Sequence, residues 1–168
     1  MSASEELALR EQAVERNPKD AQARYLFGAE LAQAGQYERA VGEIRAAVQL
    51  QPSLYTAYLQ LGLVLLTLGR PAEASAAWQP LEQLDEQAAL RLFKRGLEAL
   101  IRDDFRLCVQ LLTAGIAANT TNPALNHDMS LVIARAREAL ARAGRVQSQQ
   151  APATAEGAVR TDFSLYDQ

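Results

Sequence analysis

Cysteine and histidine are almost missing from this chain: Cys108 and His127 are the only ones in 168 residues. A lone cysteine cannot form an intramolecular disulfide, so the fold must stand without one, as in a reducing compartment. A lone histidine without further nitrogen or sulfur ligands at suitable spacing argues against a metal centre. No apolar run approaches the length of about 20 residues that a membrane-spanning helix needs. The longest, residues 61–68, is interrupted by Gly62 and Thr67, so no membrane insertion is expected. Charge of one sign is not in excess either: 17 basic against 20 acidic residues leave a net charge of −3. Without a basic block there is no electrostatic case for nucleic acid or for an acidic membrane surface. Phosphate-cradling glycine loops, serine elbows and zinc-protease patterns are missing too, so neither a cofactor nor enzyme activity is expected. The opening Met-Ser-Ala-Ser-Glu-Glu-Leu lacks the basic start and apolar core of a signal peptide, and the expectation is a cytoplasmic protein.

What the chain does have is helix-forming residues and a period. Ala, Leu, Glu, Gln and Arg fill long segments and lose little freedom in a helix. Apolar residues make up 49% and charged residues 22%, which suits a single soluble domain with a real core. Gly28, Gly62 and Gly96 stand 34 residues apart. The same interval links Pro18 to Pro52, Gly35 to Gly69, Ala40 to Ala74 and Ile44 to Trp78. A fixed period of this size marks a repeat architecture.

Turn residues punctuate the repeat. Ser4 is expected to cap a first helix ending near Arg16, and Asp20 to cap a second ending near Ala34. Gly35 supplies the left-handed residue past that end. A partner helix follows over residues 37–50, with Ser53 expected to cap the next, over 54–68. Gly69 closes that helix, and Pro71 opens another at a position where proline is tolerated. A more degenerate third unit is expected over 86–102 and 105–118, then a last helix over 124–143 ended by Gly144. Connections of two to four residues place consecutive helices antiparallel.

At these columns the chain resembles the tetratricopeptide-repeat family. The first unit matches at Gly28, Leu31, Gly35, Tyr37, Ala40, Ile44, Ala47 and Pro52. The second matches at Tyr58, Leu61, Gly62, Leu65, Gly69, Ala74 and Trp78. The resemblance implies an all-α fold: a right-handed superhelical array of antiparallel helix pairs. About three units are expected, with a leading half-unit and a trailing capping helix. The repeat domain is expected over 1–144, and residues 145–168 as a flexible linker and tail, because 146–157 hold too little apolar surface to offset ordering entropy.

The resemblance also implies a function. In this family the first helix of each pair lines a concave groove, which here points to Tyr25, Ala29, Leu59, Leu63, Leu66, Leu90, Phe93, Leu97 and Leu100. Relatives that hold a client's terminal carboxylate use Lys, Arg and Asn at such positions; here they are mostly apolar, with Lys94 nearby. The expected role is a non-catalytic scaffold, adaptor or dedicated chaperone for a protein or peptide client, laid into the groove by apolar anchors. A homodimer is left open, and the alternative is a structural subunit buried in a larger assembly. On this reading Leu63→Arg and Phe93→Arg abolish binding without loss of stability. In the tail, Phe163, Leu165 and Tyr166 form a second apolar cluster, a candidate anchor. Cys108 reads as packing, and Asp103-Asp104 as a helix cap rather than a catalytic carboxylate pair.

Overall fold

The computed structural model describes residues 2–149, which form two compact units, 2–83 and 84–149. Every described element is helical.

In the first unit, α1 (Ala3–Arg16), α2 (Ala21–Gln33), α3 (Tyr37–Leu50), α4 (Tyr55–Thr67) and α5 (Pro71–Ala77) pack each against the next. A short 3-10 turn, Gln79–Gln83, follows. The cap of α1 is Ser2 and not Ser4. Its hydroxyl accepts from the Glu5 amide at 3.3 Å while the Glu5 carboxylate accepts from the Ser2 amide at 2.7 Å. This reciprocal box needs the acid three residues after the cap, and Ser4 has Gln-less, acid-less Leu7 there. Asp20 caps α2 as expected, accepting from the Ala23 amide at 3.0 Å. Ser53 does not cap α4; Leu54 holds that place with no side-chain bond. The partner helix of the second pair stops after 7 residues. Pro80 accounts for the stop: it has no N–H to donate to the carbonyl four residues back, and the chain tightens into the 3-10 turn that contains it.

The glycine period now has a mechanism. A Cβ at Gly28 would lie 2.5 Å from Ile44 Cγ1. At Gly96 it would lie 2.6 Å from Leu112 Cδ2, and at Gly62 it would run into the Trp78 indole more closely still. Each glycine thus admits a large side chain from its partner helix or the turn after it. Those side chains, Ile44, Trp78 and Leu112, keep the 34-residue interval themselves. All three are fully buried.

The helix ends repeat as faithfully. Gln36, Arg70 and Asp104 donate their amides to the carbonyls of Leu31, Leu65 and Ala99 at 2.8, 2.9 and 2.9 Å. These are the six-to-one bonds that close a helix on a left-handed residue. Gly35 and Gly69 provide that residue at φ 73° and 72°, and in the third pair Asp103 does so at φ 59°.

Ion pairs tie the helices of the first unit across its surface. Arg39 of α3 reaches Glu11 of α1 at 2.9 Å, and Arg45 of α3 reaches Glu73 of α5 at 2.9 Å. Arg70 meets Glu38 at 2.6 Å, and Arg24 of α2 meets Glu43 of α3 at 2.7 Å. Most of these side chains are about half exposed, so each pair contributes only about 0.2–1 kcal/mol.

The second unit comprises α6 (Ala89–Ile101), α7 (Phe105–Ala118) and α8 (Pro123–Gln149). The α6 helix packs on α7 and α7 on α8. Asp104 caps α7 through the Leu107 amide at 3.1 Å, as the capping reading of Asp103-Asp104 expects. Asn122 caps α8, its side chain accepting from the Leu125 amide at 3.1 Å. The α7–α8 connection is braced by Asn119 and Asn126. Asn119 donates to the Asn126 side chain at 2.8 Å, and Asn126 donates back to the Asn119 carbonyl at 3.0 Å. Gly144 does not end the last helix. With no left-handed φ and open space around its α-carbon, it is simply a helical residue, and α8 continues to Gln149. Residues 145–149, expected to open the linker, are therefore helical. Phe163, Leu165 and Tyr166 lie outside the described residues.

Candidate protein-binding faces

The residues expected to line a groove sit on α2 and α4 in one unit and on α6 in the other. Their sequences explain how much of each helix is hidden. Residues 61–65 of α4 are all buried. Five successive helical residues span every direction around the axis, so α4 is enclosed on all sides over this stretch, as its apolar run requires, and opens partly at Leu66. On α6 the buried positions Leu92, Phe93, Lys94, Gly96, Leu97, Ala99 and Leu100 sweep more than half the circumference, and Arg95 and Arg102 mark the solvent side.

This burial divides the nine expected groove residues. Tyr25, Ala29, Leu66 and Leu90 are partly exposed. Leu59, Leu63, Phe93 and Leu97 have no exposed surface, and Leu100 has 4%. For Phe93 the reason is local: a Cβ at Gly115 of α7 would fall 2.5 Å from the Phe93 ring, so the ring packs into the space that this glycine leaves on α7. Leu59 belongs to the Trp78 cluster, because its carbonyl accepts the indole N–H at 3.1 Å in a buried bond. A substitution at Phe93 or Leu63 therefore tests the core, and the expectation that arginine is tolerated there is corrected.

Along α6, Lys94 falls into one row with apolar positions that the sequence reading had grouped. Leu90, Lys94, Leu97 and Ile101 are spaced by four, three and four residues and share one side of the helix. Lys94 is only 4% exposed and pairs with Glu98, one turn on, at 2.9 Å. A stripe count would have found the row; that the lysine is buried could not be read from spacing. Beside it, the Arg91 side chain donates to the Leu84 carbonyl at 2.7 Å, tying α6 to the segment before it.

Cys108 is fully buried, and desolvation, followed by the neighbouring Asp104 carboxylate, pushes its thiol up to about 12. A thiol held protonated is a poor nucleophile. Asp128 is raised by burial, with His127 beside it pulling the other way. His127 is exposed on α8. No group of three or more His, Cys, Asp or Glu able to hold a metal occurs among the described residues. Among them, too, no helix is long and apolar enough to cross a membrane.

No protein-family model and no curated protein matches the chain. Solved structures do. A MamA RS-1 ArsTM double mutant aligns over 89% of this chain and 88% of its own, with TM-score 0.56 and 18% identity. MamA from residue 41 to its end, from Desulfovibrio magneticus RS-1, aligns over 90% and 89%, again with TM-score 0.56 and 18% identity. The fold is that of a tetratricopeptide-repeat array. At this identity the likeness is one of fold. It agrees with the glycine columns, the three repeated helix closures and the pairing of neighbouring helices. It carries no information about which protein the array would hold.

Proposed function

We propose that the chain is a non-catalytic protein-interaction scaffold that holds an apolar helical or extended segment of a client protein. The observation that carries this reading is the fold itself, a tetratricopeptide-repeat array whose first helices keep Tyr25, Ala29 and Leu66 in one unit and Leu90 in the other partly open. Partly open apolar residues on preformed helices suit a partner that contributes apolar anchors, because the scaffold side loses little entropy on binding. The described residues with shifted proton affinity, Cys108 and Asp128, lie on different helices, and the Cys108 thiol is held protonated. We assign the holding role to the repeat domain, whose last helix runs on past the expected end at 144 to Gln149, with the segment after it as a tail, and place the protein in the cytoplasm as an adaptor or dedicated chaperone.

The test is selection from a displayed peptide library by the immobilised full chain. Enrichment of segments with two or more apolar anchors, bound at about micromolar Kd and weakened at least about tenfold by Tyr25→Ala or Leu90→Arg, supports the reading. Selection that enriches no segment, or binding indifferent to both substitutions, overturns it. Purification alone separates the competing role: a permanently buried subunit aggregates without its assembly, whereas a scaffold elutes as a discrete species.

A further inference from the structure

The α8 helix outlasts the helix that supports it. The α7 and α8 helices pack together across the short connection 119–122, and so run antiparallel. The 14 residues of α7 extend about 20 Å, which accompanies α8 only to about residue 136. Burial stops at the same place. Ala136 is the last buried residue of α8, Ala139 and Leu140 are half-buried, and residues 141–149 are all exposed. The apolar stripe does not stop there. At about 100° per residue, Ala139, Leu140, Ala143 and Val146 fall within about 80° of Ala136 around the axis. Val146 is 52% exposed. Arg137 flanks this stripe at about 100° on one side and Arg142 at about 120° on the other, where it meets Glu138 at 3.7 Å. A helix end that projects without tertiary packing, with a glycine at 144, holds its turns poorly in water, so the stripe calls for a cover.

A segment of complementary pattern follows in the same chain. Asp162-Phe163-Ser164-Leu165-Tyr166-Asp167 sets three apolar side chains between two acids, where the α8 stripe sets apolar side chains between two arginines. Charge favours this occupant over a second copy of the helix end. Residues 137–149 carry Arg137, Arg142 and Arg145 against Glu138 alone, and pairing two such ends would set like charge against like. We propose that residues 162–167 fold back onto the Leu140–Ala143–Val146 stripe of their own α8, with their aspartates paired to Arg137 and Arg142. The 12 residues from 150 to 161 permit the return. A chain of that length averages roughly 20 Å end to end, and Ala143 lies only about 9 Å back along the helix from Gln149. The stripe is separate from the residues of α2, α4 and α6 proposed to hold a client, so the docked tail braces the last helix and leaves the client's place free.

Disulfide trapping in the full chain tests this. Ala143→Cys, on the stripe, is combined with Ser164→Cys. The control combines Ser164→Cys with Ala141→Cys, which is also exposed but stands about 160° around the helix from Ala143. The two tethers are nearly equal in length, so only the face differs. The native Cys108 is buried and stays silent in the folded chain. Docking predicts that the Ala143 pair closes at least about tenfold more readily than the Ala141 pair in a glutathione buffer, because docking raises the local thiol concentration above that of a free tether. Asp162→Lys with Asp167→Lys should remove the preference, and adding Arg137→Glu with Arg142→Glu should restore it. Equal closure of the two pairs overturns the proposal. So does a preference that the aspartate substitutions leave unchanged, or one that the reversed arginines fail to restore. Disulfides formed mainly between chains assign the segment to a second copy and likewise overturn docking within one chain.

Discussion

Gly62→Ala is the sharpest test of the repeat mechanism, because propensity and packing predict opposite signs. In an open helix, alanine gains about 1 kcal/mol over glycine. At Gly62 the added methyl meets the Trp78 ring inside the distance that real Cβ contacts show, and the indole is fully buried with its N–H bonded to Leu59. Overpacking costs about 1–3 kcal/mol. Moving the indole off the Leu59 carbonyl strands a buried donor and acceptor at about 1–3 kcal/mol more. Against the propensity gain, the net is a loss of about 3 kcal/mol within a range of roughly 1–5. Gly42, in the middle of α3 with open space around it, supplies the control: Gly42→Ala should gain about 0.5–1 kcal/mol. Urea unfolding followed by far-ultraviolet ellipticity reads both. A slope of about 1–3 kcal/mol per molar turns the Gly62 loss of about 3 kcal/mol into a midpoint lowered by about 1–3 M. A Gly62→Ala midpoint at or above wild type refutes the reasoning. A loss that persists undiminished in a Trp78→Leu background also refutes it, since the two sites should then couple by at least about 1 kcal/mol.

Asp103→Gly should stabilise by about 0.5–1 kcal/mol, measured in the same unfolding experiment, because Asp103 holds the left-handed place that Gly35 and Gly69 fill in the other pairs. Phe93→Arg should cost about 3 kcal/mol or more, since it puts an unpaired charge where the ring lies against Gly115; a stable, helical variant would restore Phe93 as a surface residue. The Cys108 thiol should resist a thiol reagent at pH 8 until the chain is unfolded. With its pKa raised to about 12 from 9.0, its contribution to stability is complete below pH 9 and is lost as pH rises toward 12. Cys108→Ala should flatten that alkaline loss in unfolding midpoints taken from pH 8 to 11, and an identical pH profile for both proteins would count against the buried thiol.

The parts of the fold legible in the amino-acid sequence were those held by a single residue type at a single place. A glycine that admits a large neighbour, or that turns left-handed after a helix, has few substitutes, so Gly28, Gly62, Gly96, Gly35 and Gly69 announced the period. Asp103 escaped notice because aspartate fills the left-handed role only occasionally, and its column shows only when it is aligned with the two glycines. The early stop of α5 was written in Pro80, a residue the sequence reading left unused. Gly144 misled for the opposite reason: a glycine near a helix end marks the end only if its φ turns positive, and here it does not. The candidate faces were less legible. Leu66 and Leu63 differ by three positions on one apolar helix, and which of them is open depends on neighbours far away in the chain. Lys94 was visible as a nearby cation, but its burial is a property of packing.

Trp78 and Cys108 are each the only residue of their type, and each is sealed in the interior of a different unit. The chain therefore carries its own pair of independent gauges. Indole emission follows residues 2–83 and is blind to the rest, while thiol reactivity follows residues 84–149. Whether the two units open together or one before the other can be read in a single unlabelled sample, by asking whether the emission shift and the appearance of a reactive sulfur share one denaturant midpoint or have two.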